Sequence, residues 1–296
     1  MTRRADLPGS EGESRGRRAG GVSAPVPRRR THPLLSAWAW AVFAFLYLPI
    51  LVLIVFSFNN SRFGATWEGF TLRWYGVLAA RSDVREALGH TLTVALSSTL
   101  VSTVLGTLVG LGLWRYSFRF RTGLTFLLVL PIVIPDVVMG VSLLMFYALV
   151  RGGLELTGWT FDNGFWTVML AHVTFQISYV ALTVRSRLAG YGPELEEAAR
   201  DLGANGVQSF LRVILPLALP GVLAGALLAF TLSLDDFVVT YFTSGSGFRT
   251  LPVLIYTSVR RGVTPDINAL STLLVLFTVV AILIGNALLR PRGGRA

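Results

Sequence analysis

The sequence predicts an all-α membrane protein with six transmembrane helices. Three observations carry that fold class. Of 296 residues, 53% are hydrophobic and only 14% charged, against about a quarter charged in an ordinary soluble domain. Six apolar runs divide the chain, each long enough to cross a hydrocarbon core of about 30 Å at about 1.5 Å per residue. The arginines fall unevenly between the segments that connect those runs. Runs of this length satisfy their own backbone groups in hydrocarbon only as helices.

Residues 1–33 come first and form a separate compositional unit. They hold eight arginines, several glycines and prolines, and almost no large apolar residue. This reads as a disordered basic tail. It suits membrane lipid headgroups and a topology signal better than nucleic acid. Leu34–Phe58 is the first span, longer than a signal-peptide core of about 7–15 residues.

Thr91–Leu113, the second, carries a small-residue stripe of Ser97, Ser98, Ser102, Gly106, Gly110 and Gly112. Its GxxxG pair lets backbones approach closely, and we read it as packing within this chain. The third, Leu124–Val150, holds Pro131 and Pro135. Neither proline has an amide to donate, so a kink or unwound segment is expected there. Phe165–Val184 is the fourth, Leu217–Phe242 the fifth and Ala269–Leu289 the sixth.

Six spans put both termini on one side of the membrane. With the N-terminus cytoplasmic, the inner segments hold 18 arginines and the outer ones eight. Positive charge gathers on the cytoplasmic side, so both termini, including the short tail 291–296, are expected there.

Some chemistry is excluded. There is no cysteine, hence no disulfide framework or thiolate metal site. There is no lysine either, so the chain has no P-loop lysine to reach nucleotide phosphates. Any ATP must bind another subunit. His32, His90 and His172 lie far apart and read as capping or packing residues. No nucleophile–base constellation is present, so no catalytic residue, metal site or cofactor is assigned.

The segment 185–216, "RSRLAGYGPELEEAARDLGANGVQSFLRVILP", is the longest inner connection. Pro193 suits a first helical position. Glu194, Glu196 and Glu197 then fall in the first turn, at the positive end of the helix dipole. Glu196 and Arg200 form an i,i+4 pair, and Gly203 is a helix stop. A second short helix, 206–214, is expected to end before Pro216. Within this segment Glu197-Ala198-Ala199, then Gly203, then Val213-x-Leu215-Pro216 keeps the spacing E-A-A-x3-G-x9-[IV]-x-L-P. That pattern resembles the EAA loop of permease subunits in ATP-binding-cassette importers.

The resemblance implies a type I importer permease fold. It makes Glu197, Ala198, Ala199, Gly203, Leu215 and Pro216 a cytoplasmic coupling loop that docks on a dimer of ATP-binding subunits. It also implies a second homologous permease subunit, an extracellular or periplasmic substrate-binding protein, and residence in the bacterial inner membrane.

The fifth span contains Asp235 and Asp236, and Asp136 follows Pro135 in the third. A carboxylate at mid-membrane is disfavoured by about 2.5–3.5 kcal/mol and marks a path, a relay or an ion pair. No arginine lies in the apolar core of any span, so internal pairing is not expected to explain these acids. Adjacent helical residues point about 100° apart. One aspartate is therefore expected on a central path and the other against a neighbouring helix.

The segments "LPIVIPDVVMGVSLL", "LAFTLSLDDFVVTYFTSG" and "TLPVLIYTSVRRGVTPDINALSTLL" look like those of the second permease subunit in spermidine/putrescine importers. That likeness covers about residues 34–290. It implies a cationic cargo and a path along Asp136, Asp235 and Asp236, with Tyr241, Phe237 and Trp166 near enough for cation–π contacts. For these aromatics, packing or interfacial anchoring is the simpler role. Another small solute, or an ion-coupled secondary transporter, are the alternatives. The second leaves the EAA spacing unexplained.

Overall fold

A computed structural model of the chain describes residues 33–61, 66–156, 162–192, 194–262 and 264–289. The arginine-rich tail, His32, Pro193 and the C-terminal tail lie outside the described residues. The chain divides into two units, Met1–Leu48 and Pro49–Ala296. Helix α1 (Pro33–Phe56) runs across that division.

The described elements are helical. After α1 comes a short α2 (Arg73–Ala80), then α3 (Ser82–Arg115) with 34 residues. α3 starts nine residues before the apolar run, on a first turn that holds Asp83, where a carboxylate complements the helix dipole. Arg81 forks onto Asp83 and onto Asp266, at 2.6 Å each. It thereby ties the start of α3 to the start of α12 (Pro265–Leu289).

The third apolar run is two helices in series, α4 (Arg121–Val133) and α5 (Asp136–Glu155). Pro131 sits inside α4 without ending it; the break falls at Ile134–Pro135. α6 (Phe165–Leu188) matches the fourth run.

The fifth run departs from expectation twice. Its helix begins earlier and stops sooner. Gly206 to Asp235 is one continuous apolar helix, composed of α8 (Gly206–Ser209), a π-helical turn (Phe210–Ile214) and α9 (Leu215–Asp235). The expected end before Pro216 is absent. The Leu215 amide bonds to Phe210 O, five residues back, and this wider turn fits a residue that has no amide of its own. The C-terminal end is a separate helix, α10 (Val238–Thr243). α11 (Leu251–Val259) then leads to α12.

Five helices are long and apolar enough to cross a membrane: α1, α3, α5, α6 and Gly206–Asp235. Two shorter apolar helices, Arg121–Val133 and Pro265–Val280, join them. α6 is the centre of the larger unit and packs chiefly on α3 and α9. Glycines make that approach possible. A Cβ on Gly106 would lie 2.6 Å from Val180 Cβ, and one on Gly110 would lie 2.7 Å from Ala181 O. On α9, a Cβ on Gly225 would lie 3.2 Å from the Cα of Val180. Val180, Val184, Leu188, Ala218 and Ala229 are buried together where the helices meet. The GxxxG pair therefore packs within the chain, as its sequence predicts. A second core, with Leu78, Val84, Ala87, Leu251, Leu254 and Leu270, closes the end where α2, α3, α11 and α12 meet.

Candidate functional site

The break between α9 and α10 holds the two adjacent aspartates, and side-chain bonding accounts for it. At Asp236 the backbone leaves the helix (φ −62°, ψ 121°). Asp236 Oδ2 accepts the Thr240 amide at 2.8 Å and the Thr240 hydroxyl at 2.7 Å, while Oδ1 accepts the Val239 amide at 3.3 Å. A carboxylate just ahead of a helix satisfies amides that lack a partner inside it.

A third element supports the break. His172 on α6 is 1% exposed. Its Nδ1 lies 2.7 Å from Ser233 Oγ on α9, and its Nε2 lies 2.9 Å from Thr240 Oγ1 on α10 and 3.3 Å from Asp236 Oδ2. The polar chain continues behind the ring. Ser233 Oγ is 3.4 Å from Ser98 Oγ, Gln176 Nε2 donates to Ser98 Oγ and to Ala229 O at 3.1 Å each, and the Ser102 hydroxyl donates to Gln176 Oε1 at 2.7 Å. Buried polar groups are tolerable when so partnered. The serines of the α3 stripe thus have a second use besides close packing.

In front of the break lies a cleft of about 290 Å³. Asp136, Asp235 and Asp236 all line it, with Pro131, Phe175, Tyr179 and Phe237 among the other walls. Asp136 reaches it from the first turn of α5, next to the Pro135 break. Asp136 and Asp235 are exposed and make no hydrogen bond or ion pair to another described residue. Asp236 has a side chain 10% exposed, with both oxygens engaged. The two neighbours therefore differ, one open to the cleft and one held by neighbouring helices. No arginine lines the cleft; the buried neighbour of Asp236 from another helix is His172, 3.3 Å from Oδ2. Ser233, Thr240 and Gln176 went unmarked in the sequence, and His172 was read there only as a capping or packing residue. The signal was there: His172 and Gln176 interrupt an apolar run much as the aspartates do.

Tyr241 does not line the cleft. It packs against Phe237 and Tyr256, with ring centroids 5.5 and 6.0 Å away. Trp166 is 64% exposed and stacks edge-on with Phe165. Both are exposed and touch neighbouring rings away from the cleft, while Phe237 is the aromatic of the three on the cleft wall.

The inner connection is ordered by charge and capping. α7 (Glu194–Asp201) carries Glu194, Glu196 and Glu197 in its first turn. Glu196 accepts Arg200 at 2.6 Å, the expected i,i+4 pair, and also Arg115 at 2.6 Å from the end of α3. Gly203 takes φ +85°. Gly203 N–H bonds to Arg200 O at 2.8 Å and Ala204 N–H to Ala199 O at 3.0 Å, the paired bonds of a Schellman stop. Two residues later Asn205 and Gln208 form a reciprocal capping box at 2.9 and 3.1 Å, starting α8. The corner is closed on both sides. Glu197, Ala198, Gly203 and Pro216 are exposed; Ala199 and Leu215 are half-buried.

The cleft thus sits on two broken helices inside an apolar bundle, and the charged corner at the end of α7 is exposed. Residues 102–290 match the family of binding-protein-dependent transport system inner membrane components, and the chain belongs to that family. It is a permease subunit of an ATP-binding-cassette importer. It is 41% identical to the spermidine/putrescine transport system permease protein PotC of Escherichia coli K12 over 238 residues, 80% of this chain and 87% of that protein. It is 44% identical to the putrescine transport system permease protein PotI of the same organism over 222 residues, 75% of this chain and 78% of that protein. Among solved structures, a bacterial ABC transporter involved in the import of the acidic polysaccharide alginate shares the fold. The TM-score is 0.67 at 20% identity, over 88% of this chain and 95% of that one.

Proposed function

We propose that this permease moves polyamines such as spermidine and putrescine inward by alternating access, driven by ATP hydrolysis on a separate subunit dimer. One observation carries the cargo class: three carboxylates converge on a single cleft that no arginine lines. A polyamine is a flexible chain of ammonium groups, and a wall of carboxylates attracts it more strongly as water is excluded. The fold does not choose the cargo, since the alginate transporter that shares it handles an acidic polysaccharide. The identity to PotC and PotI across most of the chain supports the cationic reading.

The remaining parts of the machine belong to the same proposal. Six spans, with both termini cytoplasmic, fit the arginine distribution. The corner formed by Glu197, Ala198, Ala199 and Gly203, with Leu215 and Pro216 at the start of α9, is the docking element for an ATPase subunit. A second homologous permease carries the other docking element, and a binding protein delivers the cargo at the opposite face. Asp136 and Asp235 meet the cation.

The test is uptake of labelled spermidine into proteoliposomes that hold this chain, its permease partner, the ATPase and the binding protein. Accumulation that requires ATP on the ATPase side supports both machine and cargo. ATPase activity stimulated by a loaded binding protein, without spermidine uptake, keeps the importer and removes the polyamine assignment.

A further inference from the structure

We propose that His172 is a positioning residue for transport: it pins the break between α9 and α10 and so sets how Asp235 and Asp236 are presented to the cleft. This rests on the reading of that cleft as the cargo path.

One imidazole bridges both halves of the broken helix from a third element. Nδ1 meets Ser233 in the last turn of α9, and Nε2 meets Thr240 in α10. Between those two anchors lie Leu234, Asp235, Asp236 and Phe237, three of which line the cleft. The Thr240 hydroxyl has one hydrogen, and its 2.7 Å contact with the Asp236 carboxylate uses it. Thr240 Oγ1 therefore accepts from His172, so Nε2 carries a proton directed at Thr240 and Asp236. On the other side, Ser233 is backed by Ser98, which Gln176 holds from one turn further along α6.

Both ring nitrogens are thus partnered, and the partners lie on separate helices. An apolar side chain here leaves Ser233 without its 2.7 Å partner and removes the one side chain of α6 that bonds both α9 and α10 next to the break. What then still holds the two helices is the Asp236 cap, the Thr167 hydroxyl donating to Thr243 O at the far end of α10, and Gln176 on Ala229 O in α9, none of which joins the two sides of the break at one point as the imidazole does. A displacement of about 1 Å at a reacting or binding group can lower a rate by about 100-fold.

The experiment uses the complete reconstituted importer with spermidine as probe. His172→Leu removes both polar contacts at similar bulk. His172→Gln keeps an N–H donor that can reach Thr240 and Asp236. We expect His172→Leu to lower maximal uptake by about tenfold or more, with half-saturation by the loaded binding protein changed less than about twofold. Complex assembly stays intact, and His172→Gln recovers uptake to within about threefold of the parent.

A second readout needs no cargo. The chain has no cysteine, so Asp235→Cys is a unique thiol on the cleft wall. Its labelling rate by a cationic methanethiosulfonate should change about fivefold or more with His172→Leu and return with His172→Gln.

Parent-like uptake and labelling in His172→Leu would overturn the proposal. So would equal loss of assembly in both variants, which marks a plain packing residue. If the parent complex takes up no spermidine while Asp235→Cys labelling still follows His172, the positioning role stands and the polyamine reading falls.

Discussion

Two neighbouring aspartates have opposite surroundings, and substitution should separate them. Asp236 holds the start of α10 and meets a buried histidine. Asp236→Ala removes a cap worth about 0.5–2 kcal/mol and leaves buried polar atoms short of a partner, at about 1–3 kcal/mol. The purified protein should unfold several degrees lower in a thermal scan. Asp235 is exposed on the cleft wall and bonds to no other described residue. Asp235→Asn keeps the shape, so the same scan should move by no more than the equivalent of about 0.5 kcal/mol. Spermidine uptake should instead fall about tenfold, the rate equivalent of about 1.4 kcal/mol. A drop in melting temperature as large as that of Asp236→Ala would show Asp235 to be structural. At the inner corner, Gly203 has φ +85° with open space around its Cα. Conformation alone therefore demands glycine there. Gly203→Ala should cost about 1–2 kcal/mol and lower ATPase stimulation by the loaded binding protein.

At the scale of elements, glycine has two opposite meanings along α3. A Cβ at Gly106 meets Val180 Cβ at 2.6 Å, while one at Gly112 meets nothing within 4 Å. Gly106→Ala should destabilise by about 1–3 kcal/mol through overpacking, whereas Gly112→Ala should gain up to about 1 kcal/mol in helix propensity. Thermal unfolding of the two variants should shift in opposite directions; a shared direction would mean that α3 and α6 are not held this closely. The same contrast runs through what the sequence disclosed. The long apolar helices, the break beside Pro135 and the Gly203 stop were legible because hydropathy, a missing amide and a left-handed residue are local properties. The break at Asp236 was not, because no proline or glycine marks it. It depends on Thr240 four residues ahead and on His172 more than sixty residues back, a pairing that exists only after folding. Pro216 misled for a related reason. Read locally, it ends a helix. In the fold, a π-helical turn carries the chain through it without a stop.

The whole molecule works only if its two ends face different compartments. In the proposed function the cleft acids collect cargo from outside, and the α7–α8 corner faces the compartment that holds ATP. The arginine count, 18 against eight, is the physical basis for assigning those sides. That assignment can be tested directly, because a chain without cysteine accepts single thiols as reporters. Ser117, between α3 and α4, is exposed and expected inside; Ser246, between α10 and α11, is exposed and expected outside. A membrane-impermeant maleimide added to intact cells that lack an outer membrane barrier should label Ser246→Cys and spare Ser117→Cys. Permeabilised cells should label both, which excludes local shielding as the cause. The reverse pattern would place the Gly203 corner outside the cell. No cytoplasmic ATPase could then reach Glu197 or Ala198, and the coupling role would fall even with every contact in the fold unchanged. The Asp236 break and the Gly203 corner already flank the two ends of one helix, Gly206–Asp235, and the expected pattern would set the corner on the inner side. A push on the corner would then have one continuous helix, with its π-helical turn at Phe210–Ile214, through which to reach the cleft.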